Sequence, residues 1–221
     1  CNRAKPSVEK LSYGLLRNEI ENGLTYVIDG DEKIPLSVFG NHNLQNMNAA
    51  LLVCNDLGIS KAEFLNKIKD FDGASNRLEL VAKTNDSVLY KDFAHAPSKV
   101  IATVKAVREQ YKDKRFVACL ELHTYSSLNI EFMHQYAGAL DDADVACVYY
   151  NPHALEIKRL ANLNEDDVLK SFKNPKIKVI KDSAYLLRWL KENKQTNSVY
   201  LMMSSGNFDN ISFADLSQQL L

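Results

Sequence analysis

Four polar clusters carry residue types able to do chemistry, and each falls where a predicted strand or helix begins or ends. The first is Gly40-Asn41-His42-Asn43-Leu44-Gln45-Asn46, opening a helical pattern. Asn43 and Asn46 are three apart, so their carboxamides share one face of the first turn, where unpaired backbone N–H groups and the helix dipole favour an anion. Alternatively, one asparagine caps the helix and the other is solvated. The second cluster is Asn76-Arg77-Leu78-Glu79, whose guanidinium can fork onto a phosphate or form an ordinary surface ion pair. In the third, Lys91-Asp92-Phe93-Ala94-His95-Ala96-Pro97, a carboxylate and an imidazole stand between a strand and a proline-opened helix. They suit ligand contact, and equally a capping Asp beside a packed His. The fourth combines residues 121–127, containing His123, with Ser204-Ser205-Gly206-Asn207-Phe208. Both follow apolar strands, as ligand-facing loops or as plain turns.

The elements that must position these clusters can be read from periodicity. Residues 24–28 and 34–39 flank Asp29-Gly30-Asp31 and predict a β-hairpin. Leu44, Met47, Leu51 and Cys54 recur at helical spacing up to Gly58, and Ser60 opens a second helix carrying Phe64, Leu65 and Ile68. Beyond residue 76, strand-like and helix-like runs alternate: strands at 77–83, 87–93, 116–122, 145–149, 177–180 and 199–203, helices at 97–111, 130–140, within 154–172, at 184–191 and from 211. Runs such as Phe116-Val117-Ala118-Cys119-Leu120 are apolar throughout, as strands covered on both faces are. An open, mostly parallel α/β sheet is expected, with ligands at the carboxyl ends of its strands. A boundary is expected near residues 72–76.

None of the eight glycines is followed by lysine, and no G-x-G-x-x-G occurs, so neither familiar phosphate loop is present. His42, His95, His123, His134 and His153 show no close metal spacing, and no G-x-S-x-G elbow appears. A zinc enzyme or a serine hydrolase gains no support, and no metal ligands are assigned.

Taken in order, these clusters resemble the Mur ligase family of ATP-dependent amide ligases. The motifs are Gly40-x-His42-Asn43-x-x-Asn46, Phe71-x-Gly73-x-x-x-Arg77-x-Glu79, Asp92-Phe93-Ala94-His95-x-Pro97 and Ser204-Ser205-Gly206-Asn207-Phe208. The resemblance implies that residues 1–76 are the hairpin-plus-helices tail of a central ATPase domain. Residues 77–221 would be the C-terminal domain, a Rossmann-like, mostly parallel sheet flanked by helices. Within the family, the forms around Arg77, Asp92 and Ser204 look most like the recycling branch, which joins UDP-N-acetylmuramate to L-alanyl-γ-D-glutamyl-meso-diaminopimelate. The sequence departs from that branch at Asn76, Ala96 and His123, where arginine, histidine and arginine are usual. The branch that adds L-alanine is the alternative, a stand-alone nucleotide- or peptide-binding module is a second, and folylpolyglutamate synthase ranks below both.

By this resemblance His42, Asn43 and Asn46 would hold the nucleotide, Arg77 would act catalytically at the phosphates, Asp92 would meet the ribose and His95 would order the loop between them. His123, Ser204, Ser205, Gly206 and Asn207 would face the incoming peptide. The implied cofactors are ATP and Mg2+, and the implied substrates are UDP-N-acetylmuramate and a murein tripeptide. The phosphate-loop lysine, the Mg2+ ligands and the UDP-sugar domain would lie in upstream domains of the same chain. A fragment of this kind is expected not to catalyse ligation alone.

The bulk properties agree with such a reading. The 221 residues allow one large domain or two small ones. Lys plus Arg is 27 against 28 Asp plus Glu, a net charge of −1, which removes bulk attraction to nucleic acid or an anionic membrane. No apolar run is long enough to cross a bilayer, and a soluble, cytoplasmic protein is expected. Cys54, Cys119 and Cys147 sit among apolar neighbours and read as reduced core thiols. The chain opens on Cys1 rather than methionine, from which a missing upstream part is expected.

Overall fold

A computed structural model describes residues 10–221, so Cys1 lies outside the described residues. The chain divides into two compact units, one ending at Phe71 and the other running from Asp72 to Leu221.

In the first unit, β1 (Asn18–Glu21), β2 (Leu24–Asp29) and β3 (Glu32–Leu36) form an antiparallel sheet in that order. The expected hairpin is β2–β3. β1 is additional, because its Asn-Glu-Ile-Glu sequence has no apolar alternation to mark it. Its signal was the turn that follows. Asn22 (φ 51°) and Gly23 (φ 73°) both adopt left-handed backbone, the geometry that an Asn-Gly hairpin supplies. Helix α1 (Asn41–Asp56) then buries Leu44, Met47 and Leu51, spaced to face one side, and Gly58 (φ 85°) follows its end. Ser60 and Glu63 form a reciprocal capping box at the start of α2 (Lys61–Ile68). Phe64 and Leu65 join Val27, Leu36, Val38, Leu44, Met47 and Leu51 in one core.

The second unit is a six-stranded sheet of order β4-β5-β9-β6-β7-β8. Its strands are β4 (Glu79–Lys83), β5 (Val88–Asp92), β6 (Arg115–Glu121), β7 (Val145–Tyr149), β8 (Lys178–Ile180) and β9 (Ser198–Met203). Only β4 runs antiparallel, in a hairpin with β5; every other pairing is parallel. Between strands lie α3 (Pro97–Gln110), α4 (Ile130–Met133), α5 (Pro152–Ile157), α6 (Glu165–Phe172) and α7 (Ser183–Glu192), and α8 (Phe213–Leu220) follows β9. The chain steps from β5 through β6 and β7 to β8 in one direction, then reverses to place β9 between β5 and β6. Right-handed crossovers therefore put α7 on the face opposite α3. Leu186, Trp189 and Leu190 of α7, with Leu216 and Leu220 of α8, pack on Val117, Cys119, Cys147 and Tyr149. Phe116, Ala118 and Leu120 alternate with that set and are also fully buried, which accounts for the unbroken apolar run.

One predicted helix is shorter than its pattern. Instead of filling residues 130–140, α4 ends at Met133 and a single 3-10 turn, His134–Tyr136, follows. Gly138 turns left-handed (φ 75°) and donates its N–H to the Phe172 carbonyl. Tyr136 goes into the core, its ring stacked on Phe172 at 5.3 Å between centroids. Burial of an aromatic ring outweighs about two more turns of helix.

The parallel strands all end on one edge, at Asp92, Met203, Glu121, Tyr149 and Ile180. Among the described residues, no helix is long and apolar enough to cross a membrane.

Candidate functional site

Arg77 sits in a turn whose two flanking residues are both left-handed, Asn76 at φ 56° and Leu78 at φ 42°. Asn tolerates that region; for leucine it costs about 1–2 kcal/mol. Burial of the Leu78 side chain (6% exposed) and three hydrogen bonds offset the strain. Leu78 N–H donates to Asp92 Oδ2 at 2.7 Å, Phe93 N–H to the Asn76 carbonyl at 2.8 Å, and Asn76 N–H to Glu79 Oε2 at 2.7 Å. The Asn76 amide, aided by Lys91 at 3.0 Å, holds the Glu79 carboxyl below its usual range.

Asp92 is 6% exposed, and its other oxygen accepts the Ala94 N–H at 2.6 Å. Its carboxylate thereby fastens the turn before β4 to the loop after β5. The bond to Ala94 is of the kind expected of a capping Asp, while the bond to Leu78, across the β4–β5 hairpin, was not legible in the sequence. His95 Nδ1 lies 2.9 Å from the Phe93 carbonyl, and the His95 carbonyl accepts the Tyr136 hydroxyl. The His95 ring stands edge-on to Phe93 at 5.1 Å, while the exposed Arg77 guanidinium lies over Phe93 at 5.5 Å. Arg77, Asp92 and His95 are thus brought together at the carboxyl end of β5, with Phe93 between them.

The second cluster forms at the carboxyl ends of β6 and β9, around Glu121, which is 2% exposed. Glu121 Oε2 accepts the Ser204 hydroxyl and, at 2.8 Å, the Phe208 N–H, so one buried carboxylate fixes both ends of residues 204–208. Ser204 Oγ in turn accepts the Gly206 N–H at 2.6 Å. His123 Nδ1 lies 3.6 Å from Glu121 Oε1, a charged pair only when the imidazole is protonated. A Cβ on Gly206 would stand 2.9 Å from the His123 ring and 3.0 Å from Glu121 Oε2, so close an approach needs glycine. Asn207 Oδ1 accepts the Asn210 N–H at 3.1 Å, and the buried Ser205 Oγ has no partner. Glu121 opens the fourth cluster but received no role of its own from the sequence, although an acid ending an apolar strand is a signal, because an unpaired carboxylate there would be costly.

On the first unit, Gly40 (φ 88°) precedes α1 and offers no capping side chain. Neither asparagine caps the helix. Asn43 Nδ2 donates back to the Phe39 carbonyl at 2.9 Å, Asn46 is exposed, and His42 is half-buried. The first turn carries no acidic residue, which leaves its amides suited to an anion. Among the described residues, no group of three or more His, Cys, Asp or Glu side chains could hold a metal ion. A polyphosphate does fit the exposed, cationic Arg77.

A family model described as Mur ligase, glutamate ligase domain matches residues 76–206, over half of the chain and the segment that carries Arg77, Asp92, His95, Glu121, His123 and the cluster residues up to Gly206. The chain belongs to the Mur ligase family. A UDP-N-acetylmuramate–L-alanine ligase from Sulfurihydrogenibium sp. (strain YO3AOP1) is 34% identical over 130 residues, covering 58% of this chain and 28% of that protein. A solved UDP-N-acetylmuramate-alanine ligase from Thermotoga maritima shares the fold at a TM-score of 0.67 and 19% identity, over 96% of this chain and 46% of its own. A murein peptide ligase from Psychrobacter arcticus does so at 0.56 and 20% identity, over 92% of this chain and 43% of its own. The chain thus spans less than half the length of these Mur ligases. Its mixed six-stranded sheet is that of the Mur ligase C-terminal domain.

Proposed function

We propose that the chain is the carboxyl-terminal part of an ATP-dependent, ADP-forming amide ligase that joins UDP-N-acetylmuramate to L-alanyl-γ-D-glutamyl-meso-diaminopimelate during peptidoglycan recycling in the cytoplasm. Residues 1–76 would close a central ATPase domain and residues 77–221 would form the C-terminal domain. The observation that carries the reading is Arg77, an exposed guanidinium held at a strand's carboxyl end, inside the segment that matches the family.

ATP supplies the phosphoryl group that turns the muramate carboxylate into an acyl phosphate open to attack by the peptide amine. Arg77 neutralises phosphate charge, and a guanidinium fixed before reaction needs little reorganisation. Asp92 and His95 complete the nucleotide contacts on this unit; His42, Asn43 and Asn46 are those of the first. His123, Ser204, Ser205, Gly206 and Asn207 receive the acceptor, with Glu121 holding their loop. The Mg2+ ligands and the phosphate-loop lysine belong to upstream domains, and no step here runs through the metal.

The choice of acceptor rests on the forms around Arg77, Asp92 and Ser204. A specific observation favours L-alanine as a second reading, since the curated relative described above is an L-alanine ligase. Competition among tripeptide, L-alanine and glutamate in an ADP-release assay of the full-length ligase decides between them. Preference for L-alanine would overturn the recycling assignment.

A further inference from the structure

Among the described residues, the Arg77 guanidinium makes no ion pair or hydrogen bond; its recorded side-chain contact is the face of Phe93 at 5.5 Å. An arginine side chain loses substantial rotamer entropy when it clamps a ligand, unless something narrows its freedom beforehand. Phe93 is 37% exposed, an unusual state for phenylalanine at the end of a buried strand. Its backbone is held on both sides and its ring has one aromatic neighbour. Phe93 N–H is bonded to the Asn76 carbonyl, its own carbonyl meets His95 Nδ1, and the His95 ring stands at 83° to the Phe93 ring with centroids 5.1 Å apart. Behind His95, the buried Tyr136 hydroxyl donates to the His95 carbonyl, and Tyr136 stacks on Phe172. One hydrogen bond and two ring pairs therefore link the buried Tyr136–Phe172 stack to the exposed ring over which the Arg77 guanidinium lies.

We propose that Phe93 is a positioning residue: its ring is a shelf that fixes the Arg77 guanidinium toward a bound polyphosphate, with His95 as the edge support of the shelf. The inference rests on the reading of Arg77 as a phosphate contact. A guanidinium held over a ring by its charge keeps its N–H donors unspent, so the shelf restrains the group without consuming them. The left-handed pair Asn76 and Leu78 serves the same end, since an extended backbone at either position would carry Arg77 away from the ring.

The test uses the full-length ligase with Phe93→Leu and Phe93→Met, which keep apolar volume but lose the ring face, and Phe93→Tyr, which keeps it. Leu and Met should lower kcat/KM for ATP about threefold to fivefold, leave the KM of the amine acceptor unchanged and leave the melting temperature within a few degrees. Tyr should retain the wild-type value. In an Arg77→Ala background, Phe93→Leu should cost nothing further, because the shelf then has nothing to hold. An unchanged kcat/KM in both Phe93→Leu and Phe93→Met, or a loss that persists without Arg77, overturns the shelf while leaving the phosphate role of Arg77 standing. If Arg77→Ala itself leaves the ATP kinetics unchanged, the reading of Arg77 falls and the shelf with it.

Discussion

The backbone N–H of Ser204 donates to the carbonyl oxygen of Asp92 at 2.9 Å. That one bond joins the loop after β9 to the end of β5, so the two clusters on the second unit are one continuous piece of backbone hydrogen bonding. Changes in either should be felt in the other, and the outcomes below separate local effects from shared ones.

Asp92→Ala removes the acceptor of the Leu78 and Ala94 amides. Two buried donors lose their partner, at a cost of about 1–3 kcal/mol each. The left-handed Leu78 should relax and carry Arg77 with it. In the full-length ligase, kcat/KM for ATP should fall at least about tenfold, roughly 1.4 kcal/mol. Unchanged ATP kinetics would return Asp92 to a purely structural part.

Glu121→Ala leaves the Ser204 hydroxyl and the Phe208 amide without their acceptor. The variant should unfold at lower temperature, by about 2–5 kcal/mol of stability. Residues 204–208 should lose amide-exchange protection while α1 keeps its own. Full protection of that loop would show that other contacts hold it.

Gly206→Ala places a methyl against the His123 ring and Glu121. Glu121 is buried and anchored, so the imidazole must move. The acceptor KM should rise several-fold while the ATP KM stays near wild type. Equal damage to both would mean that the β9 loop is not specific to the acceptor.

Glu79 titrates below the usual carboxylate range when folded, mainly because the Asn76 amide donates to it. A depressed folded-state pKa contributes stability that is present above the unfolded value, about 4.3, and lost as pH falls through the folded one. The turn around Arg77 should therefore loosen in acid, seen as faster exchange of the Asn76 amide below about pH 4 than in the neighbouring strand. Glu79→Gln should abolish the pH step.

Ser60→Ala removes the side chain that accepts the Glu63 N–H and breaks the capping box of α2. The first unit should lose about 1 kcal/mol, measured by urea unfolding. Transitions of the second unit should stay where they were.

Much of this architecture was legible in the sequence because periodicity reports burial. The Leu44, Met47, Leu51 spacing marked α1, and the unbroken apolar runs marked β6 and β9 as strands covered on both sides. β1 escaped because its residues are polar and only its turn is diagnostic. The shortened α4 escaped because Tyr136 answers to Phe172, a residue 36 positions away, rather than to its neighbours. In the site, residue types pointed to Arg77, Asp92 and His95, yet not to how they act. A carboxylate that binds a ligand and one that ties down backbone amides look alike in a string of letters. Phe93 and Glu121 stood inside the clusters, but their parts stayed hidden for the same reason, since those depend on which loops the sheet order brings side by side.

The position of β9 between β5 and β6 has a consequence for synthesis. Its partners are far behind it in the chain: Val88 pairs with Val199, and Arg115 with Ser198. Until Met203 has been made, β5 and β6 each expose a row of unpaired backbone groups where the middle of the sheet will be. Closing those gaps requires contacts of high sequence separation, which form slowly. A chain synthesised through β8 but not yet through β9 is thus open to strand exchange with another copy, and the short segment Ser198–Met203 is the wedge that ends the hazard.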